Sequence, residues 1–240
     1  MSSEDPLIRI QELHRDFVMG HETVRALDGV SLTVSAGEFL GVMGPSGSGK
    51  STLLYLMGGL DRPTAGHIWV HDQDITALDE NGLAVYRRRQ VGFVFQTFNL
   101  ISTMGALENV EFPMLFARVP PAQRRERAHY LLELMGLADR MGHKPTELSG
   151  GQQQRVAMAR ALVNDPTIIL ADEPTGNLDS HTGAEVMAIL AQLNREQGRT
   201  IVVVSHDPSI IDFTSRCVHL LDGRVAEAMT NDQWAMTNDQ

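Results

Sequence analysis

The sequence predicts an α/β protein with a mostly parallel sheet, a small N-terminal antiparallel β subdomain and an inserted α-helical subdomain. Short, continuous apolar runs separated by helical patterns occur at residues 39–43, 91–95, 167–171 and 200–204. Such runs are typical of parallel strands that are covered on both faces. Residues 7–13 and 30–34 instead alternate between apolar and polar side chains, which is typical of half-exposed strands.

Apolar residues at helical spacing predict helices at residues 50–57, 122–135, 152–163 and 183–197. Two of them fall in a long helical stretch between Thr97 and Asn164. We therefore expect one domain over residues 1–228, with a core at about 1–96 and 165–228 and a helical subdomain at about 97–164.

The core is expected to end in a hairpin. Cys217–Leu221 and Arg224–Glu227 flank the turn dipeptide Asp222-Gly223. Residues 229–240 are predicted to be a flexible tail, which ends in the second copy of a repeated Ala-Met-Thr-Asn-Asp-Gln segment. The repeat is too short to be a structural unit, and it suggests no function.

Charge and composition exclude some classes of partner. The 240-residue chain has a formal net charge of −10, whereas proteins that bind nucleic acid normally carry a basic surface. We therefore expect no nucleic-acid partner. Cys217 is the single cysteine, so no intramolecular disulfide can form and a reducing, cytoplasmic compartment is expected.

Any connection to a membrane is expected to come through another chain. No apolar run approaches the roughly 20 residues that a membrane-spanning helix requires. The first residues, Met1–Pro6, are polar and acidic, so no signal peptide is expected.

A glycine-rich segment follows the apolar run at residues 39–43. Gly44-Pro45-Ser46-Gly47-Ser48-Gly49-Lys50-Ser51 fits the pattern G-x-x-x-x-G-K-[ST] between a predicted strand and a predicted helix. Glycines let backbone N–H groups turn inward around an anion, and the helix N-terminus adds further donors. Lys50, one of only two lysines in the chain, would neutralise the β- and γ-phosphates of a nucleotide. Ser51 would offer its hydroxyl to Mg²⁺.

Two carboxylates follow the apolar run at residues 167–171. An acidic side chain at the carboxyl end of a parallel strand lies at the edge of the sheet where ligands bind. Asp172 is therefore expected to hold Mg²⁺ through its water shell, and Glu173 to polarise an attacking water.

Together with Leu148-Ser149-Gly150-Gly151-Gln152, these motifs resemble an ATP-binding-cassette (ABC) ATPase, a P-loop NTPase with a RecA-like core. The resemblance extends from about Leu7 to Glu227. It implies ATP and Mg²⁺ as cofactors and ATP hydrolysis as the activity. Gln96 would reach Mg²⁺ and the attacking water, and His206 would contact the γ-phosphate. Phe17 would stack on adenine, although many family members have tyrosine there.

The resemblance also implies that two copies enclose ATP. The nucleotide would contact residues 44–52 of one copy, including Thr52, and Ser149, Gly150, Gly151 and Gln152 of the other. Gly176-Asn177-Leu178-Asp179 resembles the segment that touches the opposite subunit, with Asp179 near the nucleotide. ATP binding would close the dimer, and hydrolysis would open it.

Further strings are similar to the MacB/LolD/FtsE-type branch of the family. They comprise residues 92–100, residues 106–111 and the segment from Leu170 to Asp179. The branch implies an integral membrane permease subunit of the FtsX/MacB kind, with the ATPase bound peripherally at the inner face of the cell membrane. Lipoprotein release, peptide or drug export and force transmission to the envelope are the implied roles.

Two alternatives stay open at this point. One is a soluble, non-transport ABC ATPase, which usually has tandem cassettes or a long coiled-coil insertion; here only 51 residues separate Gln96 from Leu148. The other is a regulatory module that binds ATP without hydrolysing it. The motif residues that hydrolysis needs are all present, which favours an active ATPase.

Overall fold

The computed structural model describes residues 6–230, and for residues 227–230 it describes the backbone alone. The strands are β1 (Ile8–Met19), β2 (Glu22–Val34), β3 (Phe39–Met43), β4 (Ala65–Val70), β5 (Gln73–Asp74), β6 (Val91–Phe95), β7 (Ile168–Asp172), β8 (Thr200–Ser205), β9 (Arg216–Leu221) and β10 (Arg224–Thr230). The α-helices are α1 (Lys50–Met57), α2 (Glu80–Gln90), α3 (Ala106–Phe116), α4 (Pro121–Leu134), α5 (Gly150–Leu162) and α6 (Ser180–Gln197). The sequence predicted a flexible tail over residues 229–240. Residues 231–240 lie outside the described part of the chain, whereas residues 229 and 230 are the last two residues of β10.

A six-stranded sheet forms the core, in the order β10-β9-β3-β8-β7-β6. Its strands are parallel except β10, which pairs with β9 in the predicted antiparallel hairpin. Every residue of β3, β7 and β8 is buried, because helices cover both faces of the sheet. The predicted α/β fold is confirmed. The carboxyl ends of β3, β7 and β8 lie side by side, since Met43 pairs with Ser205 and Asp172 with Val204.

A second, four-stranded antiparallel sheet has the order β2-β1-β4-β5. Strands β1 and β2 are longer than predicted, and the register between them shifts at three places. Each shift moves the following side chains to the other face, so the simple alternation that predicts a strand is lost after Ile10. Strands β4 and β5 and helix α2 were not predicted from the sequence.

Helices α3, α4 and α5 lie between β6 and β7 in the chain and pack on one another. Buried Asn109 on α3 fixes the connection from the sheet to this helical region. Its side-chain amide donates to the carbonyls of Ile101, Met104 and Gly105, and its Oδ1 accepts from the Ile101 N–H at 2.7 Å. Within residues 6–230, no helix is both long enough and apolar enough to cross a membrane.

Candidate functional site

The glycine-rich segment forms a tight loop between β3 and α1. Gly44, Gly47 and Gly49 have φ values of 151°, 81° and 100°, a region that side chains with a Cβ rarely adopt. A Cβ at Gly44 would lie 2.1 Å from the Leu220 carbonyl oxygen, and one at Gly49 would lie 2.3 Å from the Ala26 carbonyl oxygen. The phosphate loop (residues 44–51) is therefore confined between the β9–β10 hairpin and β2.

The turn of the C-terminal hairpin bonds directly to this loop. The Gly223 N–H donates to the Ser48 carbonyl at 3.1 Å, and the Asp28 N–H donates to the Gly223 carbonyl at 2.9 Å. The Arg224 guanidinium binds the Asp28 carboxylate, and this hydrogen bond lowers the pKa of Asp28. The β9–β10 hairpin and β2, which are separate from the phosphate loop in the sequence, therefore hold the loop in place.

Lys50 is the buried cation of the loop and is 5% exposed. Its Nζ donates to the carbonyls of Gly44 and Pro45, both at 2.8 Å. Burial lowers the pKa of Lys50, while the charges of Glu173 and Asp172 act in the opposite direction. Of the other predicted contact residues, Pro45, Ser46 and Gly47 are exposed at the rim of the loop, and Thr52 lies on the first turn of α1.

Asp172 ends β7 and receives two hydroxyl hydrogen bonds from α1. Ser51 Oγ donates to its Oδ1 at 2.8 Å, and Tyr55 Oη donates to its Oδ2 at 2.6 Å. Burial and the Asp172 carboxylate raise the pKa of Tyr55 to about 12, so Tyr55 is a donor at neutral pH. The sequence analysis missed Tyr55, although its position four residues after Ser51 places both on one helix face.

Glu173 and His206 form a pair beside Asp172. Glu173 has a φ of 43°, unusual for a residue with a Cβ, and its N–H donates to the Val204 carbonyl at 3.0 Å. This backbone turn directs the carboxylate toward His206, whose Nδ1 lies 3.1 Å from Glu173 Oε1. Strained backbone of this kind is common at active sites.

Gln96 follows β6 and contacts the segment after Glu173. A Cβ added to Gly176 would lie 2.6 Å from Gln96 Nε2, so a larger residue at position 176 would displace the end of the Gln96 side chain. The Asn177 side-chain amide also donates to the Gln96 carbonyl at 2.9 Å. Gln96 is thereby linked to the loop between β7 and α6.

The Leu148–Gln152 motif forms the start of α5. Ser149 is exposed and caps the helix, accepting from the Gln152 N–H while the Gln152 side chain accepts from the Ser149 N–H. A Cβ on Gly151 would lie 2.3 Å from Thr182 Cγ2, so Gly151 packs against the start of α6.

Asp179 caps α6 next to this motif. Its carboxylate accepts from the Thr182 N–H at 3.0 Å and from the Thr182 hydroxyl at 2.7 Å. These bonds lower the pKa of Asp179, which keeps it ionised. Apart from Phe17, the predicted site residues therefore fall into two neighbouring groups, one around Asp172 and one at the N-termini of α5 and α6.

Phe17 lies near the end of β1 and is 36% exposed, with the Arg15 guanidinium against its ring. A groove of about 580 Å³ lies on another surface, between α2, β6, α3 and α5. Its described lining includes three arginines and no acidic residue. The sequence analysis predicted neither Arg15 nor the groove, because both arise from elements that are distant in the chain.

The donor set around Asp172 fits Mg²⁺. Ser51 and Asp172 place hydroxyl and carboxylate oxygens 2.8 Å apart, and Mg²⁺ prefers oxygen ligands. Within residues 6–230, no group of three or more His, Cys, Asp or Glu side chains could hold a metal ion. That is consistent with Mg²⁺ held by one or two protein groups together with substrate phosphates.

A buried lysine in a glycine loop, followed by an acidic strand end, defines a P-loop ATPase domain. The family model described as ABC transporter matches residues 27–176. The chain belongs to this family and is an ABC-type ATP-binding cassette.

Several relatives support this assignment. An uncharacterized ABC transporter ATP-binding protein of Thermotoga maritima is 49% identical over 219 residues, covering 91% of this chain and 93% of that protein. The macrolide export ATP-binding/permease protein MacB of Vibrio parahaemolyticus is 45% identical over 239 residues. The alignment covers 97% of this chain but only 36% of that protein.

Among solved structures, the dimeric post-hydrolysis state of the ATP-binding cassette MJ0796, bound to ADP and Pi, aligns with a TM-score of 0.88 and 46% identity. The alignment covers 93% of this chain and 98% of that chain. The sequence-based assignment to the family and its MacB-like relatives is confirmed.

Proposed function

We propose that the protein is the ATP-hydrolysing subunit of a transporter or envelope machine of the MacB/LolD/FtsE type, in which two copies drive a membrane permease subunit. The observation that carries the proposal is the contact between phosphate loop and acidic strand end, where Ser51 bonds Asp172 at 2.8 Å. The branch assignment rests on the relatives named MacB.

Triphosphate binding is assigned to the phosphate loop. Lys50 would leave the carbonyls of Gly44 and Pro45 and contact the β- and γ-phosphates. Backbone N–H groups of the loop and of the α1 N-terminus would also donate to the phosphates. Ser51, Asp172 and Gln96 would hold Mg²⁺, which neutralises charge on the phosphates when bound. Tyr55 would fix the orientation of the Asp172 carboxylate through its 2.6 Å bond.

Hydrolysis is assigned to Glu173 with His206. Glu173 Oε would accept a proton from the attacking water as that oxygen bonds to the γ-phosphorus. His206, 3.1 Å from Glu173, would donate to the γ-phosphate and keep the carboxylate in position. The bond from the γ-phosphorus to the bridging oxygen then breaks, which leaves ADP and phosphate.

A second copy is expected to complete each site. Ser149, Gly150 and Gly151 present an exposed hydroxyl and helix N-terminal N–H groups, which suit an anion. Their partner would be the γ-phosphate bound to the other copy, with the 176–179 segment at the contact. The dimeric state of the solved cassette supports this arrangement.

The groove is the proposed docking site for a cytoplasmic segment of the permease. Phe93, Phe95 and Phe116 give it an apolar lining, and Arg87, Arg88 and Arg160 give it positive charge. Phe116 is 62% exposed within this apolar lining, and exposed apolar patches mark interaction sites. An apolar segment with acidic residues would fit this lining.

The test combines phosphate release with particle size. Wild type is expected to release phosphate from ATP at a rate that rises with protein concentration, because dimers are the active form. Glu173→Gln should abolish release and give a dimer in gel filtration with ATP, whereas Lys50→Ala should remain a monomer that binds no ATP. A wild type that binds ATP without turnover at high concentration would contradict the proposal and favour a regulatory module.

Membrane docking is tested by co-sedimentation with membranes of the native host. Phe116→Asp is expected to lose binding, because it removes the exposed ring and adds a negative charge that would repel an acidic docking segment. Leu134→Asp, at a residue 47% exposed on α4 and outside the groove lining, is the matched control. Equal binding by both variants would remove the groove from the proposal.

A further inference from the structure

A guanidinium covers one face of the exposed aromatic ring on β1. The Arg15 guanidinium carbon lies 4.4 Å from the centroid of the Phe17 ring. Phe17 is 36% exposed, so part of the ring is accessible to solvent. Because the cation lies against one face, a planar ligand can stack only on the opposite face.

Arg15 is itself held in a fixed orientation. Its Nε and Nη2 donate to Asp61 Oδ2 and Oδ1, both at 2.9 Å. Two parallel bonds restrict a planar guanidinium far more than a single contact does. Asp61 in turn accepts from the Arg62 N–H at 2.8 Å, so the arrangement is anchored to the backbone after α1.

The remaining surroundings of Phe17 offer little packing. The side chains of Val18, Met19 and Val24 at the same end of the β1–β2 hairpin are 77%, 68% and 47% exposed. Val24 is the cross-strand neighbour of Phe17. A ring among such exposed neighbours would reorient freely without a contact such as the one from Arg15.

We propose that Arg15 is a positioning residue for the nucleotide base, which holds Phe17 so that adenine stacks on its free face. This inference rests on the proposed function and on the adenine-stacking role that the family resemblance implies for Phe17. Fixing the ring before binding reduces the conformational entropy lost when the base stacks. The effect is expected to act on the base alone and to leave the triphosphate contacts unchanged.

The test compares a ligand with a base to a ligand without one. Calorimetry with Mg-ATP and with Mg-tripolyphosphate gives the two affinities. Arg15→Gln is expected to weaken ATP binding about threefold, the size typical of an exposed cation–π contact, and to leave tripolyphosphate binding unchanged. Arg15→Lys, which keeps the charge without the paired bonds, should recover part of the loss.

The matched control lies on the same strand. The Arg9 guanidinium is also 4.4 Å from an aromatic centroid, that of Trp69, so Arg9→Gln removes an equivalent contact elsewhere. We expect Arg9→Gln to leave both affinities unchanged. In a Phe17→Leu background, Arg15→Gln should have no further effect on ATP binding.

The outcomes separate this inference from the proposed function. If Phe17→Leu leaves ATP affinity unchanged, the base-stacking role fails, and this inference fails with it. If Phe17→Leu weakens ATP binding but Arg15→Gln does not, the positioning role alone is wrong. An equal loss of ATP and tripolyphosphate binding in Arg15→Gln would show a general structural role and would also overturn the inference.

Discussion

Gln154 Nε2 donates to the Pro174 carbonyl at 2.6 Å, and the Gln154 side chain is completely buried. Gln154 lies one turn into α5, whose N-terminus carries Ser149, whereas Pro174 directly follows Glu173. This hydrogen bond connects the helix proposed to bind one nucleotide with the segment that carries Glu173, the residue proposed to hydrolyse another.

Gln154→Leu is expected to lower ATP hydrolysis while ATP binding is retained. Leucine has a similar volume but leaves the Pro174 carbonyl without this donor, which costs about 1–3 kcal/mol for a buried group. Phosphate release and ATP affinity, measured on the same preparation, check this. Gln192→Leu, at an exposed glutamine on α6, is the control. Unchanged turnover in Gln154→Leu would contradict the expected link.

Gly223→Ala is expected to weaken triphosphate binding as well as stability. Alanine at a φ of 74° costs about 1–2 kcal/mol. In addition, its Cβ would lie 2.8 Å from the Ala26 carbonyl, which displaces the turn bonded to Ser48. Mg-tripolyphosphate affinity and urea unfolding measure the two effects separately.

Gly198→Ala is the matched control for this prediction. Gly198 has a similar φ of 64° at the end of α6, and a Cβ there would meet no atom within 4 Å. It should lose stability through the same backbone strain and keep its phosphate affinity. Equal phosphate affinity in both variants would exclude a role for the C-terminal hairpin in positioning the loop.

Tyr55→Phe is expected to lower the free energy of unfolding by about 1 kcal/mol at pH 7, the usual contribution of a hydrogen bond. The pKa of Tyr55 is raised from 10.0 to about 12, so its contribution is fully present below pH 10. That contribution is lost as the pH rises through 12. Urea unfolding of both proteins at pH 7, 10 and 11.5 should therefore show a difference that shrinks at the highest pH. Tyr130→Phe, at an exposed tyrosine, should change nothing.

Gly151→Ala is expected to be destabilising by about 1–3 kcal/mol, the range for overpacking. The added methyl would meet Thr182 Cγ2 at 2.3 Å, and turning Thr182 away would break its bond to Asp179. Thr182→Ser removes Cγ2 and keeps the hydroxyl, so the double variant should recover most of the loss. Unfolding free energies of the four proteins test this, and simple additivity would contradict it.

Local patterns were sufficient to predict the central sheet. The strands at 39–43, 91–95 and 200–204 are fully or mostly buried, so each is a continuous apolar run bounded by turn residues. The apolar run at 39–43 and the glycine-rich motif that follows it were also sufficient to predict the phosphate loop between β3 and α1. Helix α2 lacks such a pattern, because only Leu83 and Tyr86 are buried and its last turn is a run of arginines.

The interactions that orient the site could not be predicted in the same way. Arg15 meets Asp61 across 46 residues, and Gly223 meets Ser48 across the whole core. The spacing of apolar and polar residues does not indicate contacts between residues so far apart in the sequence. Tyr55 is the exception, since helical spacing from Ser51 was available as a signal. The function of each motif residue could be proposed, but the neighbours that hold it in place required the fold.

The identity of the atoms that crowd each glycine also determines which variants can be rescued genetically. At Gly44, Gly49 and Gly223 the nearest obstacle to a methyl group is a main-chain oxygen, which every amino acid carries. At Gly151 it is the methyl group of Thr182, which a substitution at position 182 can remove. A selection for second-site suppressors should therefore yield revertants from Gly151 and none from the other three.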